Sequence, residues 1–104
     1  MQEAYHAGIT TSRWIAARTL QAQEAWREAE TLLDVTIDEA VRYEDEYCLA
    51  DILWLKGECL LQRQDSAAGE RYFQQAELLA STQQAEGLLR RFAGWRKRNA
   101  NQRP

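Results

Sequence analysis

Apolar residues recur every three or four positions along most of the chain, the spacing of helices with one apolar face. In the second run, for example, Leu32, Leu33, Ile37, Ala40 and Val41 fall on one side of such a helix. The pattern predicts helices at about 13–22, 26–42, 46–63, 66–80 and 83–98. No strong helix breaker separates the first two runs, so one helix over about 13–42 is the alternative to a break near residues 21–25.

Short polar stretches predict where the helices begin and end. Residues 1–11 show no clear hydrophobic periodicity. Gly8 followed by residues 9–12 is typical of a joint, that is, a short connection next to a helix, and Thr11 or Ser12 is the predicted N-cap of the first helix. Residues 43–47, crowded with like charges, and residues 81–82 also predict joints. Asp65 or Ser66 can cap the fourth helix. We expect a single domain over 1–104, frayed at 1–11 and 99–104.

Composition favours an all-α fold. The chain has 104 residues but only one proline and five glycines. Sheets need many tight turns, and turns depend on these two residue types. Long helices with short connections therefore fit the composition better.

Two of the five glycines, Gly57 and Gly69, fall inside predicted helices. A glycine in a helix interior costs about 1 kcal/mol relative to alanine. Close approach of two antiparallel helices at these positions would explain both, with Phe73 filling space beside Ala76. The third helix, apolar on most of its circumference, should lie between neighbours.

The spacing over residues 50–81 resembles a tetratricopeptide repeat. Gly57 matches the glycine of that family's first helix, Gly69 stands for the small residue that opens the second, and Phe73 and Ala76 match the aromatic residue and alanine that follow. The resemblance extends less strongly to residues 13–49, where Trp26-Arg-Glu-Ala29 is similar to the start of a second repeat helix. The departures from the family pattern are Leu53 for tryptophan, Lys56 for leucine, Leu60 for tyrosine and Ser81 for proline.

The amino-acid sequence of residues 51–61 and 73–76 is similar to that of the C-terminal tetratricopeptide segments of bacterial signalling ATPases and adenylate-cyclase-type regulators. The resemblance implies an antiparallel helical-hairpin repeat of about five helices that binds a protein or peptide. In such folds the first helices of successive repeats line a concave groove. The matching inward positions here are Arg18, Trp54, Glu58, Leu61, Arg91 and Trp95. Tryptophan and arginine are enriched among binding hot spots, although for each tryptophan core packing is the competing explanation.

Two other partners are alternatives. Four tryptophans in so few repeats favour a homo-oligomer that covers an apolar end. The basic segment 90–98 mixes cations with Phe92 and Trp95, as nucleic-acid binders do. However, these aromatic residues keep helical spacing with Leu88, which is typical of a core, and the net charge of −3 disfavours binding to phosphate.

Little in the sequence indicates catalysis, a metal or a cofactor. His6 is the only histidine, and a catalytic histidine needs an orienting partner and a pocket. The acidic residues Glu44, Asp45, Glu46 and Asp51 lack the glycine-punctuated loop of a calcium site, and we interpret them as a solvated joint. Cys48 and Cys59 have no neighbouring ligands to complete a zinc site, and about 16 Å of helix would separate them, so we expect reduced core thiols. The protein is predicted to be no enzyme, with no cofactor and no small-molecule substrate.

Charge is unevenly distributed along the chain. Residues 1–60 carry a net charge of −7 and residues 61–104 a net charge of +4. No apolar run approaches the ~20 residues of a membrane span, and the N-terminus lacks the features of a signal peptide. A cytoplasmic location with no membrane contact is the expectation.

Overall fold

The described part of the chain consists of five helices joined by short turns. The computed structural model describes the backbone of residues 2–43, 46 and 48–100, and side chains from Ser12 onward. The helices are α1 (Gln2–Ala22), α2 (Trp26–Arg42), α3 (Leu49–Gln62), α4 (Ser66–Thr82) and α5 (Glu86–Ala100). No strand occurs in these residues. The predicted all-α, helical-hairpin fold is confirmed.

The start of the first helix differs from the prediction. The expected joint at Gly8 and the cap at Thr11 or Ser12 are wrong, because α1 begins at Gln2 and runs through these positions. A single glycine inside a helix costs only about 1 kcal/mol, which a long helix can absorb. Fraying was expected over residues 99–104. This is wrong for Asn99 and Ala100, which are the last residues of α5, and residues 101–104 lie outside the described residues.

Three of the turns share one geometry. In each, a residue with positive φ follows the helix, and the next N–H donates to the carbonyl five residues earlier. Such a left-handed residue lets the chain reverse and satisfies the last carbonyls of the helix. The positive-φ residues are Glu24 (61°), Gln64 (65°) and Gln84 (56°), with N···O distances of 2.8–2.9 Å from Ala25 to Leu20, Asp65 to Leu60 and Ala85 to Ala80. The first turn shows that residues 13–42 are two helices.

The close approach of α3 and α4 at Gly57 and Gly69 is confirmed. A Cβ atom added to Gly57 would lie 2.6 Å from the ring of Phe73 and 3.0 Å from the carbonyl oxygen of Gly69. A Cβ on Gly69 would lie 3.0 Å from the Gly57 carbonyl oxygen. The two backbones therefore touch where both side chains are absent. Asp65 caps α4, as predicted, by accepting from the Ala68 N–H at 3.3 Å.

The α1–α2 and α3–α4 hairpins are related by an offset of 40 residues. The buried residues of α2 are Ala29, Leu33, Thr36 and Ala40, and those of α4 are Gly69, Phe73, Ala76 and Ala80. On the first helices the same offset pairs Trp14 with Trp54, Ala17 with Gly57 and Leu20 with Leu60. The described chain thus holds two copies of one hairpin, followed by α5.

α3 lies at the centre of the core, as its apolar circumference predicts. Eleven of its fourteen residues are buried. One side packs with α1 and α2 through a cluster that includes Cys48, Ile52, Leu55 and Cys59. The other side packs with α4 and α5 around Trp54. This central position lets α3 form the floor between α1 and α5.

Candidate functional site

A concave cleft lies over α3, between α1 and α5. Its volume is about 150 Å³. These three helices lie side by side because the tight turns after α1 and α3 send the next helix to the opposite layer, and α3 and α5 then return to the layer of α1. The residues that line the concave cleft are Arg18 from α1; Asp51, Trp54, Leu55 and Glu58 from α3; and Arg91, Phe92, Trp95 and Arg98 from α5.

Five of the six groove residues predicted from the sequence meet in this cleft. They are Arg18, Trp54, Glu58, Arg91 and Trp95. The sixth, Leu61, does not line it. Its side chain lies against α4, where it would be 3.5 Å from a Cβ atom on Gly69. Leu61 is therefore part of the α3–α4 contact, on the other side of its helix.

Aromatic rings form the floor of the concave cleft. Trp54 stacks on Phe92 with ring centroids 4.1 Å apart and 4° between the planes, and Phe73 lies 4.2 Å from it on a tilted plane. Trp95 meets Trp54 edge-on at 5.5 Å. Trp54 is only 3% exposed, so it supports the cleft from below, whereas the half-buried Trp95 keeps part of its surface accessible.

Asp51 holds the three helices of the cleft together. This carboxylate is 5% exposed. One oxygen accepts a hydrogen bond from Trp14 Nε1 at 2.7 Å, and the other pairs with the Arg91 guanidinium. A buried charge must be paired in this way to be tolerated, so Asp51 ties α1 and α5 to α3.

Sequence reasoning placed Asp51 in a solvated acidic joint, and this interpretation is wrong. Glu46 is exposed, as that interpretation expected, whereas Glu44 and Asp45 lie outside the described residues. The available signal was the sequence around Asp51, which lies between Ala50 and Ile52 on a helix that is apolar on most of its circumference. A carboxylate in such a position is buried and needs a partner.

Glu58 is the unusual titratable group of the cleft. Burial, which disfavours the charged carboxylate, raises its pKa to about 7, and the nearby Asp51 carboxylate acts in the same direction. A hydrogen bond from Trp95 and the charges of Arg18 and Arg91 oppose the rise in pKa. Near neutral pH the cleft therefore holds a carboxyl group that is both donor and acceptor.

A second, larger cavity of about 450 Å³ lies on the opposite side of α3, against α2. Its walls include Trp26, Glu30, Asp34 and Arg63. Lys56 Nζ is 2.8 Å from a Glu30 oxygen and 2.6 Å from an Asp34 oxygen, and Arg63 is 3.0 Å from Glu30. Because these charges already pair with one another, the cavity offers less to a partner than its volume indicates.

The basic segment of α5 divides into two sets of residues. Phe92 is buried and Trp95 half-buried, as their helical spacing predicts. Arg96 turns inward: it pairs with Glu77 at 2.7 Å and Glu70 at 2.8 Å, and its guanidinium lies 5.5 Å from the ring of Trp54. These contacts fasten α5 to α4. The remaining bases, Arg90, Arg91, Lys97 and Arg98, are exposed.

The cysteines are buried thiols, as expected. Among the described residues, Cys48 and Cys59 are both buried and neither forms a disulfide. Burial raises the pKa of Cys59, against the effect of a 3.3 Å hydrogen bond from Gln21 Nε2 to its sulfur. Within the described residues, no group of histidine, cysteine and carboxylate side chains could hold a metal ion. The side chain of His6 is outside the described residues.

Comparison of the chain with protein families, with curated proteins and with solved structures finds no match. In the described part of the chain, no helix combines the length and the apolar character needed to cross a membrane.

Proposed function

We propose that the protein is a non-catalytic protein-interaction module of the tetratricopeptide type, and that it binds a peptide segment of a partner in the concave cleft. The observation that carries the proposal is the convergence of Arg18, Glu58, Arg91 and Trp95 from three helices on one cleft. The cleft offers polar and charged groups at its rim and an aromatic surface at its floor, the combination on which peptide recognition depends. A role in bacterial signalling belongs to the same proposal, through the resemblance to ATPase-associated repeats.

The experiment is selection of a random-peptide phage library on the full chain, followed by binding of the selected peptides to variants. Arg18→Glu reverses an exposed charge in the cleft, and Arg71→Glu reverses an exposed charge on α4, away from it. Both variants have the same net charge, and circular dichroism checks that both fold. Selected peptides should lose binding to Arg18→Glu and keep binding to Arg71→Glu. Equal binding to the two folded variants would contradict the cleft as the binding site.

Self-association is a second candidate, favoured by Ile15. This side chain is 54% exposed on α1, at the position equivalent to Leu55, which is buried where α3 packs against the first hairpin. A second copy could cover Ile15 in the same way. Sedimentation velocity with Ile15→Glu as the monomeric reference tests this: identical sedimentation of both proteins at high concentration would exclude it.

A further inference from the structure

The helix α5 repeats the register of α3, 37 residues later. α3 begins at Leu49 and α5 at Glu86. The residues by which α3 packs on the preceding hairpin are Cys48, Ile52, Leu55 and Cys59. Their counterparts in α5, which are Ala85, Leu89, Phe92 and Arg96, pack on or pair with the α3–α4 hairpin. α5 therefore sits on its neighbours as α3 does, as the first helix of a further hairpin.

This register assigns a role to Gly94. Gly57 and Gly94 are each the ninth residue of their helix. In α3 that glycine receives the backbone of α4. In α5 a Cβ atom on Gly94 would meet only the end of the Arg98 side chain, at 3.3 Å, and a Cβ on Gly87 would meet nothing within 4 Å. α4 packs on one surface of α3, and none of the described residues packs on the equivalent surface of α5.

Bases flank this open surface of α5. Gly87, Arg90, Gly94 and Lys97 are spaced by three, four and three residues and so share one side of the helix; we call them the basic face of α5. Arg90 and Lys97 replace Leu53 and Leu60, which are both buried in α3, and Leu53 packs in the core cluster with Phe73 and Ala76 of α4. Arg90 and Lys97 are exposed. Overall α5 carries five bases and one acid. A helix that packed here as α4 packs on α3 would meet cations instead of leucines.

We propose that the basic face of α5 binds an acidic amphipathic helix of a partner protein, in the position that α4 takes on α3. The glycines let the backbone of the partner helix approach, and glutamate or aspartate on that helix pairs with Arg90 and Lys97. This surface is separate from the concave cleft, because neither Arg90 nor Lys97 lines that cleft.

A helix suits this face better than nucleic acid does. Binding of phosphate requires cations, but it does not require two glycines seven residues apart. Close contact between two helices does depend on small residues at the crossing point, as Gly57 and Gly69 show.

A peptide based on α4 tests the proposal. The probe is a fluorescein-labelled 17-residue peptide with the sequence of α4, which keeps Gly69 and carries Ala68→Glu and Ala76→Glu. A second peptide carries lysine at both positions. Binding to the full chain is measured by fluorescence anisotropy at low salt. The glutamate peptide should bind at least about tenfold more tightly than the lysine peptide, because like charges repel across an interface.

Three variants locate the binding. Arg90→Glu/Lys97→Glu should weaken binding of the glutamate peptide at least about tenfold, and Gly94→Leu, which leaves the charge unchanged, should weaken it comparably by blocking the approach. Arg27→Glu/Arg71→Glu, with the same net charge as the first variant, should bind as the wild type does. Equal loss in both double variants, no loss in Gly94→Leu, or tighter binding of short double-stranded DNA than of the peptide would each overturn the proposal.

Discussion

Replacing Gly57 by alanine adds one methyl group at the point where α3 and α4 touch. The new Cβ would lie 2.6 and 2.7 Å from two ring atoms of Phe73, and 3.0 Å from the carbonyl oxygen of Gly69. Carbon atoms in contact normally stay about 3.5–4.0 Å apart. The ring must therefore move, or the two helices must separate.

Two effects of opposite sign determine the result. Alanine is preferred to glycine in a helix interior by about 1 kcal/mol, so on an open face the substitution would stabilise. Overpacking a dense core costs about 1–3 kcal/mol. Phe73 has little room to yield, since it is fully buried with its ring centroid 4.2 Å from Trp54 and 5.0 Å from Trp95. We expect Gly57→Ala to lower the free energy of unfolding by about 1–2 kcal/mol.

Gly94→Ala is the matched control, because Gly94 holds the same position in α5 as Gly57 in α3. Its added Cβ would meet only the flexible end of Arg98. The higher helix propensity of alanine should then determine the result, and the free energy of unfolding should rise by about 0.5–1 kcal/mol. Urea unfolding followed by circular dichroism at equilibrium gives both values. If Gly57→Ala stabilised the protein as much as Gly94→Ala, the inferred contact between α3 and α4 would be wrong.

The first hairpin indicates how the clash can be relieved. It has Ala17 where the second has Gly57, and Leu33 where the second has Phe73. The smaller side chain at 33 accompanies the larger one at 17. In a Phe73→Leu background, Gly57→Ala should therefore cost less than it does in the wild type. A double-mutant cycle measures this coupling; strict additivity of the two substitutions would refute the explanation.

Three further predictions test the core, a helix cap and the cleft. Phe73→Ala should lower the free energy of unfolding by about 3–5 kcal/mol, measured by urea unfolding, because it leaves a cavity in a fully buried site. Asp65→Ala should cost about 1 kcal/mol in the same assay, because the Ala68 N–H loses its acceptor. Folding raises the pKa of Glu58 from its usual 4.5 to about 7, so wild-type stability relative to Glu58→Gln should fall as pH rises between these values. Thermal unfolding across this pH range measures the difference, and parallel curves would contradict the raised pKa.

The sequence was most informative where local pattern and packing agree. The ends of α2, α4 and α5 lie within about three residues of their predicted positions, the usual uncertainty of helix boundaries. The glycines were equally informative, because a residue that weakens a helix interior needs a reason and close packing is the commonest one. By contrast, the start of α1 was missed. Arg13 lies level with the end of α2, where it pairs with Glu39 at 2.5 Å, and the segment before it continues as helix despite Gly8.

The sequence indicated a second repeat over residues 13–49 but not the 40-residue offset between the two hairpins, because their core positions hold different side chains. Equivalent spaces in the two hairpins are filled by different pairs of residues, Ala17 with Leu33 in the first and Gly57 with Phe73 in the second. Cores tolerate such exchanges when the total side-chain volume is kept. A search for identical residues therefore finds little. What both copies keep is the spacing of the buried positions and a positive-φ residue after the first helix, at Glu24 and Gln64. Neither residue is glycine, so the usual marker of such a turn is absent.

The electrostatics of the cleft show where reasoning from local sequence ends. Asp51 and Glu58 lie two turns apart on one face of α3. The apolar neighbours of Asp51 indicate that it is buried, but nothing near either residue in the sequence identifies its partners. Their partners lie 40 and 37 positions away, respectively: Arg91 pairs with Asp51, and Trp95 donates to Glu58. Since α5 brings both partners, detaching α5 would expose Asp51 and return the pKa of Glu58 towards its ordinary value. The chemistry of the cleft therefore depends on the packing of α5. A change that loosens α5, such as loss of the Arg96 ion pairs, should alter binding in the cleft although Arg96 does not line it.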